Sequence, residues 1–437
     1  MGAKDVEIMA PVGSFASLQA AFQAEADSVY FGAGHLNMRS NSSQNFSLND
    51  IREIVRLCRQ HNVKSYLTVN TIIYDHELEK VKEVLETAAS AEVSAIIATD
   101  FSVIQYAREL GLPVHISTQS NITNIEAVKF YARFADVMVT ARELNLNQVA
   151  EITRQIKEQQ ITGPSGNIVR IEIFAHGALC MAVSGKCYLS LHTMNSSANR
   201  GACLQPCRRR YQVEDKESGI AAEVDNEYIM SPKDLKTVHF LNKILDAGVR
   251  VLKIEGRGRS PEYVKTVTQV YRQAVNAVYE GTYDEEKIES WNHKLSQVYN
   301  RGFWNGYYLG QRLGEWTEKY GSQAIRKKLF LGKITNYYSK IGVVEVPVET
   351  NEVHKGDQIM IIGDTTGVVE DTVKEIRVDL HSVEKAGKGD ICSIPVSETV
   401  RRGDKLYVMR QQKRKFTDYL NNPGHDNYIA NQENQKD

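Results

Sequence analysis

Residues 6–33 read VEIMAPVGSFASLQAAFQAEADSVYFGA. An apolar, β-rich run (6–13) passes into a stretch whose apolar residues recur at spacings of three and four (14–26), and a second β-rich run (28–33) follows. Strand, helix and strand in so short a length predict a right-handed βαβ unit with parallel neighbouring strands. The rhythm continues: further β-rich runs lie at 64–70, 95–100, 114–118, 136–140 and 170–177, with amphipathic stretches at 49–62, 75–90, 101–110, 123–134 and 144–159 between them. A final pair, LKTVHFLNKILDAG (235–248) and VRVLKIEG (249–256), supplies an eighth strand. Eight such units favour an α/β fold of the (β/α)8-type barrel class over an open sheet.

Barrel chemistry sits at the C-terminal ends of the strands. The residues there are polar: Arg39 and Asn45 after the second strand, Asn70 after the third, Asp100 after the fourth, Ser117, Thr118 and Gln119 after the fifth. Arg142 and Glu143 follow the sixth, His176 ends the seventh, and Glu255 and Arg257 follow the eighth. Loops are polar for their own reasons, so one such residue says little. As a set they define one mouth, with Arg39, Asn70, Gln119, Arg142, His176, Glu255 and Arg257 as the candidate catalytic side chains.

The segment between the seventh and eighth strands opens at that mouth and holds four of the six cysteines, spaced Cys180-x6-Cys187-x15-Cys203-x3-Cys207. Four clustered thiols in a chain of 437 residues do not make a disulfide framework and read as metal ligands. Four thiolates suit either a 4Fe–4S cluster or a four-cysteine zinc site, and the first spacing of six is wider than the usual zinc knuckle. Thiols that are unligated or redox-paired are the third possibility. Cys58, in a helical stripe, and Cys392, in an apolar β-rich run, read as small core residues.

Basic and acidic residues balance, 53 against 54, so no long-range field steers a polyanion to the chain, and any nucleic-acid contact must come from local patches. No run of eighteen apolar residues occurs and the N-terminus lacks a secretory h-region, so the expectation is a cytoplasmic protein with no membrane partner. From about residue 325 the period changes to two, with turn signals, which predicts a small C-terminal all-β barrel. The domains expected are therefore 1–325, a TIM-like barrel carrying the cysteines; 326–412, the β-barrel; and 413–437, a polar, disordered tail. RKKLFLGKITNYYSK (326–340) carries five basic residues and no acidic one, and RRGDKLYVMRQQKRK (401–415) carries seven against one, both interleaved with aromatics. That composition suits phosphate contact and base stacking, although a solvated strand face would look the same.

EIFAHGALCMAVSGKC (172–187), NRGACLQPCR (199–208), MSPKDL (230–235) and KIEGRGRSPEYV (253–264) together resemble the collagenase-like U-type peptidase family over nearly the whole chain. Within it, the length and the short C-terminal domain are most similar to the branch of bacterial prephenate-dependent tRNA uridine 5-hydroxylases, also called tRNA 5-hydroxyuridine synthases. The resemblance implies an enzyme that hydroxylates the wobble uridine of tRNA to 5-hydroxyuridine without molecular oxygen, with tRNA and prephenate as partners. It also implies a 4Fe–4S cofactor held by Cys180, Cys187, Cys203 and Cys207. Prephenate carries two carboxylates, for which guanidinium forks are the best partners, so Arg39, Arg142 and Arg257 are its expected contacts, with Glu255 orienting an arginine. Two other readings stand beside this one: a peptidase, and an RNA-binding protein with a structural zinc. Against the first, neither HExxH nor GxSxG occurs, although His176 lies four residues before Cys180 and can pair with it.

Overall fold

In the computed structural model, which describes residues 2–40, 45–211 and 228–412, the eight expected strands form one closed ring. β1 (Glu7–Pro11) pairs in parallel with β2 (Ser28–Phe31), and pairing continues through β3 (Lys64–Val69), β4 (Ala95–Ala98), β5 (Val114–Ile116), β6 (Val137–Val139) and β7 (Arg170–Gly177). A short β8 (Asp234–Lys236) runs antiparallel to the end of β7, and β9 (Val251–Ile254) closes the ring by pairing with both β7 and β1. β10 (Phe303–Trp304) extends β8 outside the ring. Sequence periodicity missed β8 and β10, because three- and two-residue strands carry no period to read.

The helices follow their strands: α1 (Phe15–Gln23), α2 (Asp50–Gln60), α3 (Leu78–Ser90), α4 (Phe101–Glu109), α5 (Ile125–Ala132) and α6 (Leu146–Glu158). After β7 come α7 (Leu189–Met194), α8 (Leu241–Asp246), α9 (Pro261–Glu280) and α10 (Glu285–Gln297). Ser14, Asn124 and Asn145 each cap a helix by accepting from a backbone N–H three residues on, which satisfies donors the first turn leaves over. Alternation along the strands divides the apolar residues in two. Ile8, Ala10, Val29, Phe31, Leu67, Ile96 and Met138 join the core shared with the helices, whereas Met9, Tyr30, Tyr66, Ala95, Ile97, Val137 and Val251 form a separate cluster inside the ring.

Charged side chains share that interior. At the floor Glu7 accepts from the Tyr66 hydroxyl at 2.6 Å and pairs with Lys64 at 2.9 Å and Arg170 at 3.2 Å. Burial alone would raise the Glu7 carboxyl, but these partners outweigh it and hold it at about 2. One layer up, Lys253 Nζ lies 2.8 Å from Glu172 Oε1, and burial pushes the carboxyl up and the ammonium down, each towards its neutral form.

The C-terminal region is a β domain of antiparallel sheets. Its strands are β11 (Arg326–Lys333), β12 (Asn336–Tyr338), β13 (Val343–Pro347), β14 (Val353–His354), β15 (Gln358–Gly363), β16 (Gly367–Thr372), β17 (Ile376–Val378), β18 (His381–Val383), β19 (Lys385–Ala386), β20 (Ile391–Pro395) and β21 (Lys405–Gln411). A four-stranded sheet, β11-β21-β15-β16, and a five-stranded one, β12-β13-β20-β17-β18, close over a common core that includes Leu331, Val344, Ile361, Ile394 and Leu406. The domain also leans on the barrel: Met360, Ile362 and Val368 are buried in the barrel's own core cluster. Gln23 of α1 bonds the backbone of Thr366 and Val368, and Lys265 of α9 donates to the Val368 carbonyl. The expected tail, 413–437, lies outside the described residues.

Candidate active site at the barrel mouth

A cavity at the C-terminal ends of the strands encloses about 1180 Å3, open mouth included, and all four clustered cysteines line it. The segment bearing them is pinned across the mouth from two sides. Arg200 forks onto Glu77 and also donates to the Ile72 carbonyl, Ile72 N donates to Asn199 O at 3.1 Å, and Ser40 Oγ donates to Gly201 O at 3.2 Å. On the far side Arg208 donates to Ser231 Oγ, Pro232 O and Leu179 O at 3.0, 2.6 and 2.7 Å. Gly201 (φ +77°) is required where it stands, since a Cβ there would collide with the Asn37 carbonyl.

Of the seven candidate catalytic side chains, the fold brings six to this cavity: Arg39, Asn70, Gln119, Arg142, Glu255 and Arg257. Arg39 pairs with Glu255 at 2.7 Å, as expected of a carboxylate that orients an arginine. Burial would raise the Glu255 carboxyl, but Arg39, Arg259 and Arg142 hold it at about 2. Arg257 donates to Asn37 Oδ1 at 2.9 Å and Thr68 Oγ1 at 2.8 Å, and burial lowers it to about 10. Asn70 Nδ2 donates to Ser117 Oγ at 3.2 Å and Gln119 Oε1 at 3.3 Å, while its oxygen accepts from Met38 N. Arg142 lies over the Phe174 ring, 3.7 Å from its centroid, and donates to Ala178 O at 3.2 Å. Its Nε is buried and has no partner among the described residues.

His176 is the exception and drops out of the cavity. β7 and β9 lose register between Phe174 and His176, and at that irregularity the Ala175 carbonyl accepts from Tyr271 at 2.7 Å and from Thr237 at 2.9 Å. Phe174 lines the mouth; His176 instead sits among Tyr263, Tyr271 and Phe303, where burial pushes its imidazole down to about 3. No pairing with Cys180 forms. The other strand-end residues divide similarly: Ser117 and Thr118 line the cavity, Asp100 caps α4 through Ser102 N, Asn45 donates to the Ser40 carbonyl, and Glu143 faces a side cleft with Trp304, Tyr307 and Trp316.

Sequence reasoning overlooked Lys253, which lines the cavity together with Arg208, the residue next to the fourth cysteine. A lysine in mid-strand among apolar residues, as in VRVLKIEG, was the available signal. With them, five cationic side chains and one carboxylate line the cavity, so it favours anions. Burial raises Cys203, and it lifts Cys207 to about 11 with Arg208 pulling the other way. Four thiols beside Arg39 and Arg208 match a four-thiolate group in number and chemistry. Among the described residues no three His, Cys, Asp or Glu side chains already stand in ligand geometry. Cys58 and Cys392 are buried in cores, as expected.

The molecule is thus a (β/α)8 barrel whose mouth is built from arginines and thiols. The chain belongs to Peptidase family U32, which matches residues 13–318. It is 59% identical over 407 residues to the "Collagenase" of Porphyromonas gingivalis strain W83, covering 93% of this chain and 98% of that one. It is 31% identical over 368 residues to the "tRNA hydroxylation protein P1" of Bacillus subtilis, covering 82% and 84% of the two chains. To the "23S rRNA 5-hydroxycytidine C2501 synthase" of Escherichia coli it is 34% identical over 320 residues, covering 71% of this chain and 46% of that one. Among the described residues no helix is long and apolar enough to cross a membrane.

Proposed function

We propose that this chain hydroxylates the wobble uridine of tRNA to 5-hydroxyuridine, dependent on prephenate and independent of oxygen, with a 4Fe–4S cluster held by Cys180, Cys187, Cys203 and Cys207. The observation that carries the reading is the convergence of four thiols and a surplus of guanidinium groups on one cavity. Relatives named for tRNA and rRNA hydroxylation support the RNA substrate.

When bound, the cluster supplies electron-transfer or Lewis-acid chemistry at the mouth. The chain's own residues do the rest. Arg142, stacked on Phe174, and Arg257, held by Asn37 and Thr68, both line the cavity and supply guanidinium groups for the carboxylates of prephenate. Arg39 is held by Glu255 and so keeps a fixed direction at the rim. Asn70 and Gln119, tied to each other and to Ser117, present amide groups suited to the edge of a uracil.

The name of the Porphyromonas gingivalis relative favours a second reading, a peptidase. Among the described residues that line the mouth there is no histidine to pair with a thiol, and His176 faces Tyr271. One experiment separates the two. Total tRNA nucleosides from cells with and without the chain, resolved by mass spectrometry, should lose 5-hydroxyuridine-type nucleosides when it is absent. Unchanged nucleosides together with cleavage of denatured collagen by the purified protein would replace hydroxylation by proteolysis. Stoichiometric zinc in place of iron in protein prepared without air would replace the cluster by a structural zinc.

A further inference from the structure

Beside the thiol cavity and sharing Cys203, Gln205 and Arg208 with it runs a second cleft, between residues 203–209 and the tip of the loop at 317–321. That loop is not a loose flap. Lys233 N donates to Glu315 O at 2.9 Å, Thr317 N donates to Ser231 O at 2.8 Å, and Gln323 Nε2 braces Thr317 Oγ1 at 3.0 Å. The tip it holds up presents Lys319 and Tyr320, the latter 76% exposed. Facing it are Leu204, half exposed, and Arg209, whose guanidinium reaches only as far as Met194 Sδ, at 3.9 Å. Among the described residues neither Arg209 nor Lys319 has a carboxylate partner. Arg301 and Tyr299 line the floor; Arg301 is neutralised by Asp234 at 3.3 Å, and the exposed Glu318 is the acidic neighbour of the tip.

The basic strands of the β domain, the expected RNA surface, are different. Arg410 forks onto Asp357, Lys328 pairs with Glu262 of α9 at 2.7 Å, and Arg326 bonds Gln297 and lies 3.6 Å from Glu370. Lys413, Arg414 and Lys415 of the second patch lie outside the described residues, whereas Arg401, Arg402 and Lys405 are within them. Three of the cations that made those strands look like a phosphate track are engaged in holding the fold.

We propose that the cleft between 203–209 and 317–321 binds single-stranded RNA and leads the target nucleotide into the thiol cavity. Arg209 and Lys319 take phosphates, Tyr320 stacks on a base, and the shared wall at Gln205 and Arg208 is the threshold. The aromatic ring beside the cations selects a nucleic acid over an acidic peptide, and its exposed face selects unpaired bases over a duplex, whose bases are already stacked. The proposal rests on the RNA reading above and adds where the strand lies.

The test is binding of a labelled single-stranded uridine decamer, the matching duplex and total tRNA to the full chain across a salt series, with iron content read alongside. Lys319→Glu should weaken the single strand about fivefold or more and flatten its salt slope by about 0.7, one phosphate contact. Tyr320→Ala should weaken it about tenfold and leave the slope unchanged. Arg209→Glu should behave like Lys319→Glu with its iron retained. Lys327→Glu in the β domain should change neither. If the wild type binds RNA and the three cleft variants bind as tightly, or if Lys327→Glu is the damaging change, the cleft is wrong while the RNA reading stands. Preference for the duplex, or binding of a poly-glutamate peptide with no RNA binding, overturns the cleft as an RNA site. Absence of RNA binding together with unchanged cellular nucleosides overturns both.

Discussion

Arg142 is the guanidinium at the mouth with a buried, unpartnered Nε, lying flat on Phe174 with one hydrogen bond to the Ala178 carbonyl. A lysine there keeps the charge and loses both the fork and the stacking face. Arg142→Lys should therefore raise the prephenate concentration needed for half-maximal hydroxylation about tenfold, the scale of one charge-assisted hydrogen bond, with iron unchanged. Loss of iron in that variant, read by metal analysis, would assign Arg142 to holding the cysteine segment instead. The cysteines make the complementary case. Cys180→Ser, Cys187→Ser and Cys203→Ser should each abolish the visible absorbance and the bound iron of protein prepared without air, because an alkoxide is a hard substitute for a soft thiolate. Cys58→Ser, inside the α2 core stripe, should keep its iron and lose only stability.

At the scale of elements, Glu7 ties β1 to the first residues of β3 and β7 through Lys64 and Arg170. Its carboxyl titrates at about 2 when folded against 4.5 when free, so its stabilisation is present above pH 4.5 and is lost as pH falls from there towards 2. The difference is worth up to about 3 kcal/mol. Denaturant titrations should show Glu7→Gln much less stable than the wild type at pH 6, with the gap closing towards pH 2; a gap independent of pH would mean the loss is one of packing. How much of this was legible beforehand follows from how each feature is encoded. The ring strands were readable because each is a short β-rich run alternating with an amphipathic stretch, and Arg39, Asn70, Gln119, Arg142, Glu255 and Arg257 were readable because a strand's C-terminal end has one destination in a barrel. His176 obeys the same rule in sequence and escapes it in space, since the shift at Ala175 is fixed by Tyr271 and Thr237, remote along the chain. The pairing of two β-domain cations, Lys328 and Arg410, was hidden for a like reason: Glu262 and Asp357 are invisible to a scan of neighbouring residues.

Among the described residues the barrel and the β domain meet along an apolar seam. Because Met360, Ile362 and Val368 complete the cluster around α1 and α9, a chain cut after residue 325 should keep its barrel circular dichroism and its iron but melt several degrees lower and bind an apolar dye. An unchanged melting temperature would make the β domain an independent appendage. The closure of the ring by β9 also reaches into the history of each molecule. Residues 7–9 find their second neighbours only at 251–253, so the barrel cannot complete itself until the ribosome has passed that point. The thiols emerge first. At ordinary rates of synthesis, Cys207 precedes Ile254 by roughly two to ten seconds, during which the four sulfurs lie outside any finished mouth, open both to the machinery that loads metal and to oxidants. Expression under air and expression without it should thus yield two populations of one sequence, set apart by chemistry that happened before folding ended.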